Sequence, residues 1–147
     1  MHQRRCCFLT SNALQGLVTD DELARPPLEA RGWRLDIVAW DDPAAQWSSY
    51  DLVVVRSTWD YHQRHTEFRC ALDTIAGESR RLENPIELMR WNLDKRYLRD
   101  LEAQGVPVAP TAWRSRVSPE ELPALFNDFR CEELVIKPVV GASASHT

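Results

Sequence analysis

Three short apolar runs, separated by polar segments, mark the first half of the chain. The strongest is Tyr50–Arg56, whose consecutive β-branched residues predict a strand in the middle of a parallel sheet, covered on both faces. Trp33–Trp40 alternates apolar and polar side chains, as a strand does, and Cys6–Thr10 predicts a short buried strand. Leu82 lies in a further short extended segment.

Helices are predicted between these strands. Thr19–Glu22 has the pattern of a capping box, and the helix that it starts should end at Gly32, although Pro26-Pro27 should break or kink it. A second helix is predicted over about residues 66–76, with Gly77 beyond its end. Its apolar residues share one face: Phe68, Leu72 and Ile75. The alternation of strands and helices predicts a parallel α/β sheet.

The next segment is predominantly helical. Asn84-Pro85 has the pattern of a helix start, with a cap followed by proline at the first position. The helical pattern runs to Gln104, and Gly105 is its stop signal. Asn92 could cap a second, shorter helix within this stretch.

After Gly105, the sequence predicts a strand, a helix and another strand. Val106–Trp113 should be extended because its two prolines disfavour helix. Ser118–Glu121 is a third capping box, which opens a helix to about Phe129, and Glu133–Ile136 predicts a strand. Few residues remain here to bury the apolar faces of these elements, so we expect the C-terminal third to be an incomplete unit.

Composition narrows the class of protein. The net charge of −4 and the pI near 5.6 argue against bulk nucleic-acid binding. No apolar run approaches the ~20 residues that span a bilayer, and the N-terminal apolar stretch is too short for a signal peptide, so the cytosol is the expected compartment. The four cysteines are scattered, without the spacing of a zinc site or a disulfide framework. A homo-oligomer is compatible with the sequence.

The loop after the strongest strand is the first candidate site. Arg56–Tyr61 combines a cation, hydroxyls, a carboxylate and two aromatics, and functional loops lie at the carboxyl ends of parallel strands. Arg56 could hold a carboxylate or phosphate bidentately, with Ser57 and Asp60 beside it. The structural alternative is that Asp60 caps the next helix while the two aromatics pack on the sheet. Both interpretations can hold at once.

Two lysines lie beside segments suited to an anion. Lys137 follows an apolar run and precedes a loop of small residues, whose backbone N–H groups could approach phosphoryl oxygens. Lys95 lies in the first turn of a helix if Asn92 is the cap, where its charge opposes the helix dipole and a structural motive is weak. An ordinary turn and a solvated charge run are the plain alternatives. The two lysines could converge on one polyphosphate.

Several motifs, taken in order, resemble the ATP-grasp superfamily. They are Asn84-Pro85, Arg90-x-Asn92-x-Asp94-Lys95, Gly105-x-Pro107-x-x-Pro110-Thr111, and Val135-Ile136-Lys137-Pro138 with its small-residue loop. Within it, the chain is most similar to the glutathione-synthetase-like and D-alanine–D-alanine-ligase-like carboxylate–amine ligases. Val54–Tyr61 and Thr19-Asp20-Asp21 resemble the branch that includes the cyclo-ligase of cycloserine biosynthesis.

This resemblance implies three regions. They are a pre-ATP-grasp domain with a parallel, Rossmann-like sheet and flanking helices over residues 1–85, a connecting helix over 86–105, and the start of an ATP-grasp lid subdomain over 106–147. In the family, the acid that contacts adenine, the transition-state arginine and the Glu/Asn ligands for Mg²⁺ follow such a loop. The resemblance therefore implies an amino-terminal fragment with a truncated lid that lacks the Mg²⁺ ligands.

The resemblance also implies ligands and contacts. ATP with Mg²⁺ is the implied cofactor, a small amino-acid-like carboxylate is the implied substrate, and neither nucleic acid nor membrane is an expected partner. The implied ATP-binding residues are Lys95, Lys137, Gly141, Ala142, Ser143 and Ser145, with the loop Gly141 to Ser145 closing over the β and γ phosphates. Arg56 and Asp60 match no universal catalytic position, and together with Ser57 they are candidates for substrate binding. No catalytic residue or metal ligand is assigned.

Two classes of function follow. The first is part of an ATP-dependent carboxylate–amine ligase that works through an acyl phosphate and supplies the substrate-side domain with half of the phosphate clamp. The second is a catalytically inactive, truncated module that binds a ligand or another subunit. The implied lack of Mg²⁺ carboxylates favours the second for this polypeptide alone, while the resemblance favours the first for its family.

Overall fold

A computed structural model describes residues 3–12, 14 and 18–141 of the chain. The strands are β1 (Arg4–Thr10), β2 (Trp33–Ala39), β3 (Leu52–Ser57) and β4 (Leu82–Glu83). The α-helices are α1 (Arg25–Glu29), α2 (His65–Glu78), α3 (Ile86–Asn92), α4 (Tyr97–Ala103) and α5 (Leu122–Phe129). Short 3₁₀ segments lie at Asp21–Ala24, Trp47–Ser49 and Pro119–Glu121.

The four strands form one parallel sheet in the order β2-β1-β3-β4, with helices flanking it. This confirms the predicted parallel α/β architecture. The most covered strand is β1, where Cys6–Leu9 are all buried, whereas Val54 and Val55 of β3 are only partly covered. The prediction of full coverage for β3 was therefore too strong: Val54 on the α1 face and Val55 on the α2 face are both only partly covered.

The core lies on both faces of the sheet, and the α2 face is the larger. Phe68, Leu72 and Ile75 are completely buried there, as the helical spacing predicted, against a group that includes Leu9 and Val53. The opposite face is smaller and centres on three buried side chains, Cys6, Phe8 and Leu35. Burial of this kind is the main favourable term in the stability of such a domain.

Cys6 and Cys7 behave as small hydrophobic residues. They point to opposite faces of β1, and burial raises the pKa of Cys6 to about 11 and the pKa of Cys7 to about 12. Both thiols are therefore neutral at ordinary pH and are poor ligands or nucleophiles. Across the described residues, no three His, Cys, Asp or Glu side chains are grouped so that they could hold a metal ion.

The first helical region differs from its prediction. Residues 21–24 form a 3₁₀ turn, and α1 begins at Arg25 with Pro26 and Pro27 in its first turn. The prolines therefore start the helix instead of breaking it, because a residue in the first turn has no i−4 hydrogen bond to lose. Gly32 follows with a φ of +77°, the left-handed conformation expected of its stop signal.

The later helices also shift from their predicted bounds. Gly77 lies inside α2, and Ser79 is its C-cap. α3 begins at Ile86 after Pro85, which takes the cap position predicted for Asn84, and Asn92 is its last residue instead of a cap. Two short helices, α3 and α4, lie within residues 86–105, where the sequence left room for a second, shorter helix.

The C-terminal part contains one confirmed signal and one wrong prediction. Ser118 and Glu121 form the predicted capping box ahead of α5. The predicted strand Glu133–Ile136 is not formed, and Val135 and Ile136 are 69% and 51% exposed. An apolar run becomes a strand only if another strand pairs with it, and in the described residues none does.

Among all the described residues, no helix has the length and apolarity to cross a bilayer.

Candidate functional site

Three segments that are distant in sequence meet at the carbonyl oxygen of Gly141. The Lys95 Nζ donates to this oxygen at 3.0 Å and to the carbonyl of Pro138 at 3.0 Å. The Tyr61 hydroxyl, from the loop after β3, donates to the same Gly141 oxygen at 3.4 Å. The backbone N–H of Lys95 donates to Val139 at 2.8 Å. The loop after β3, the α3–α4 turn and the 137–141 segment therefore form one contact region.

Lys95 lies in the turn between α3 and α4, not in a helical first turn capped by Asn92. Loss of water around its ammonium lowers the pKa of Lys95, and the positive charge of Lys137 lowers it further. The nearby Asp94 carboxylate acts in the opposite direction. The effect of Lys137 shows that the two lysines lie within electrostatic reach of each other, as their predicted convergence on one anion requires.

Gly141 is closely surrounded. A Cβ on this residue would stand 2.9 Å from Cγ of Pro138 and 3.6 Å from the Lys95 Nζ. A side chain here would therefore press on the proline ring and fill the space beside the ammonium, so glycine keeps that approach open. The other predicted loop residues, Ala142, Ser143 and Ser145, lie outside the described residues.

Arg56 and Ser57 share a partner that the sequence analysis missed. The Arg56 Nε lies 3.0 Å from Oδ1 of Asp21, and the Ser57 hydroxyl donates to Oδ2 of the same residue at 2.6 Å. The Asp21 side chain is 1% exposed. We interpreted Asp21 as part of a helix cap, and a partner 35 residues away leaves no local signal in the sequence.

Asp60 has a structural contact. It is buried and accepts a hydrogen bond from the Trp40 indole N–H at 2.9 Å. It does not cap α2, which begins after Arg64. Tyr61 packs on Phe68 of α2 with a centroid distance of 5.5 Å, so the interpretation in which an aromatic of this loop packs against the core is confirmed for Tyr61.

The predicted site residues fall into two groups on opposite faces of the sheet. The Arg56 guanidinium lies 5.5 Å from the centre of the Phe8 ring, on the α1 face, whereas Tyr61 packs on the α2 face beside the Lys95 contacts. In the described part of the chain, no contact joins Arg56 to Lys95.

A separate open cleft of about 480 Å³ lies along the α3–α4 turn and α4, lined by Trp91, Asp94, Arg96, Tyr97, Arg99 and Asp100.

This arrangement defines a parallel α/β domain in which Arg56 and the loop after β3 lie at the carboxyl end of that strand, where such sheets bind small molecules. The chain belongs to the family described as the N-terminal domain of the D-cycloserine synthetase DcsG, which matches residues 6–84. The similarity is thus to a biosynthetic ligase, and the predicted link to cycloserine biosynthesis is confirmed at the level of family.

Two relatives support this assignment. The cycloserine biosynthesis protein DcsG of Streptomyces lavendulae is 38% identical over 116 residues, which are 75% of this chain and 38% of that protein. The crystal structure of the D-cycloserine synthetase DcsG matches with a TM-score of 0.70 and 33% identity over 94% of this chain and 47% of that one. The chain therefore spans less than half the length of each relative.

Proposed function

We propose that this chain is the amino-terminal part of an ATP-dependent carboxylate–amine ligase of the ATP-grasp superfamily that works through an acyl phosphate. In this proposal it supplies the substrate-side domain and half of the ATP phosphate clamp. The observation that carries the proposal is the junction of Lys95 with the 138–141 carbonyls, within electrostatic reach of Lys137. Two neighbouring ammonium groups at a small-residue loop match the chemistry of a polyphosphate.

The residues present fit the phosphates of ATP. The Lys95 ammonium has three donors, of which two go to carbonyls in this structure, and glycine at position 141 leaves the space beside it open. Lys137 is exposed. When bound, ATP supplies the phosphoryl group that activates a carboxylate for attack by an amine.

In this proposal, the lysines act by position and charge. Lys95 exchanges one or both carbonyl contacts for phosphoryl oxygens, which neutralises part of the charge of the triphosphate. Lys137 adds a second point charge beside the same loop. Mg²⁺ belongs to the proposal as the cofactor of the whole ligase, and none of the described residues is assigned to its coordination.

Alanine in place of Lys95 or Lys137 should each weaken ATP binding about ten- to a hundredfold. A charge-assisted hydrogen bond is worth about 1.5–3 kcal/mol, which corresponds to that range of affinity. Titration calorimetry with ATP measures the change, and inorganic tripolyphosphate serves as a second probe. Because the proposal assigns phosphate but not adenine recognition to this chain, tripolyphosphate should bind about as tightly as ATP.

The matched control is Arg80→Ala, which removes the same charge from an exposed side chain beside the amino end of β4, paired there with Asp51. This variant should bind both probes like the unmodified chain. If Lys95→Ala and Lys137→Ala bind both probes as tightly as Arg80→Ala does, the two lysines are not a phosphate clamp and the proposal fails.

The affinity for tripolyphosphate should also fall as pH rises towards the ordinary lysine value of 10.5. The pKa of Lys95 is already lowered in the folded chain, and an anion binds the protonated ammonium in preference to the neutral amine. The unmodified chain should therefore lose affinity at lower pH than Lys95→Ala, which lacks this ammonium. Superimposable pH profiles of the two proteins would exclude Lys95 from the site.

A further inference from the structure

Arg56 occupies an irregular position in β3. The parallel register pairs Leu9 with Val55 but Thr10 with Ser57, so Arg56 is an extra residue without a partner in β1. This is the pattern of a β-bulge, which redirects side chains and occurs often beside active sites. It also explains how the neighbours Arg56 and Ser57 reach one carboxylate, because a regular strand would send them to opposite faces.

Asp21 is the second part of this arrangement. Its carboxylate is 1% exposed and is compensated by the Arg56 Nε at 3.0 Å and the Ser57 hydroxyl at 2.6 Å. Burying a carboxylate is costly, and an apolar residue of similar size often serves stability as well. A buried carboxylate held against an irregular strand therefore calls for a reason beyond stability.

The Arg56 side chain supplies that reason. It is 46% exposed, and its Nε is the only guanidinium nitrogen with a partner among the described residues. The guanidinium thus has one edge fixed from behind by Asp21, and no described residue occupies its two Nη groups. A planar pair of N–H donors of this kind matches a carboxylate bidentately. The Phe8 ring, 5.5 Å from the guanidinium carbon, limits its movement on one side.

We propose that Arg56 binds the carboxylate of an amino-acid-like ligand and that Asp21 is the positioning residue that aims it. The nature of the ligand rests on the proposed function, whereas the geometry does not. Asp21 fixes the Nε edge of the Arg56 guanidinium, so its removal should affect ligands that carry a carboxylate and spare neutral ligands of the same shape.

The test compares two probes, D-serine and D-serinamide, which differ only in the replacement of a carboxylate by an amide. D-Serine has the three-carbon skeleton of cycloserine, which makes it a suitable carboxylate for a chain of this family. Chemical-shift titration by NMR should show that the unmodified chain prefers D-serine by about tenfold or more, as expected for one charge-assisted bidentate pair. Absence of that preference overturns the inference.

Two variants locate the effect. Arg56→Lys keeps the charge without the planar donor pair, and Asp21→Asn keeps the shape without the charge that fixes the Nε edge. Each should reduce the preference for D-serine to about threefold or less, while the affinity for D-serinamide stays unchanged. A general loosening of the fold would lower both affinities together, and that result would make the role of Asp21 merely structural.

The control is Asp36→Asn, which breaks another aspartate–arginine pair, Arg5–Asp36 at 2.6 Å, while the Asp21–Arg56 pair stays intact. It should keep the full preference for D-serine.

Titration with tripolyphosphate distinguishes this inference from the proposed phosphate clamp. If Asp21→Asn weakens tripolyphosphate instead of D-serine, Arg56 belongs to the phosphate site and the inference fails. If the lysine variants leave tripolyphosphate unaffected but the D-serine preference holds, the clamp fails and this site stands.

Discussion

Replacing Phe68 with alanine should lower the free energy of unfolding by about 3–5 kcal/mol. The Phe68 ring is completely buried between α2 and the sheet. It meets the Trp40 ring edge-on at 5.3 Å between centroids and the Tyr61 ring at 5.5 Å. Deleting it leaves a cavity among large, rigid side chains, which can collapse only in part.

Urea unfolding, followed by circular dichroism, measures this change. The matched control is Phe126→Ala, the same deletion at a partly buried position of α5, where the loss should be clearly smaller. Equal losses for the two variants would show that the core is not centred on α2. Because Tyr61 packs on Phe68 and also contacts Gly141, the deletion should loosen the 137–141 segment as well.

The parts of the fold that follow from local pattern were predictable. The spacing of Phe68, Leu72 and Ile75 identified a helix face, and all three are completely buried. The β-branched run in β3 identified an interior strand of a parallel sheet. Each signal is periodic within a few residues, so it needs no knowledge of distant neighbours.

The errors have a different physical origin. The apolar run at Leu134–Ile136 predicted a strand, but strand formation depends on a partner elsewhere, and no described residue pairs with it. Pro26 and Pro27 predicted a break or kink in a helix. Proline has that effect only inside a helix, and here both prolines lie in the first turn of α1. In both cases the deciding information lies outside the local window.

The candidate site divides in the same way. Lys95, Lys137 and Gly141 were identified from residue type and order, and the structure brings Lys95 and Gly141 into contact, with Lys137 within electrostatic reach. Asp21 was missed as the partner of Arg56, since their contact depends on tertiary structure and on a register shift in β3. A bulge of one residue leaves no composition signal that a single sequence reveals.

The double variant Lys95→Ala/Lys137→Ala should lose about 3–6 kcal/mol of binding free energy for tripolyphosphate, close to the sum of two charge-assisted contacts at about 1.5–3 kcal/mol each. This corresponds to roughly a hundred- to ten-thousandfold in affinity, the largest functional effect that we expect. The pKa of Lys95 is lowered mainly by loss of water around its ammonium, and the positive charge of Lys137 contributes a smaller part, so the two ammonium groups repel each other in the free chain. Removing either one therefore relieves some repulsion before the anion binds.

A double-mutant cycle makes this argument quantitative. Groups that hold one polyanion jointly should deviate from additivity by about 0.5 kcal/mol or more, whereas independent sites add within about 0.3–0.5 kcal/mol. Calorimetric titrations at two salt concentrations complete the test, since a joint electrostatic clamp weakens as salt rises and the double variant has little left to lose. If Lys137→Ala binds like the unmodified chain and the double variant binds like Lys95→Ala, only Lys95 contacts the phosphates. The 137–141 loop would then serve to hold Lys95 in place and not to bind the anion itself.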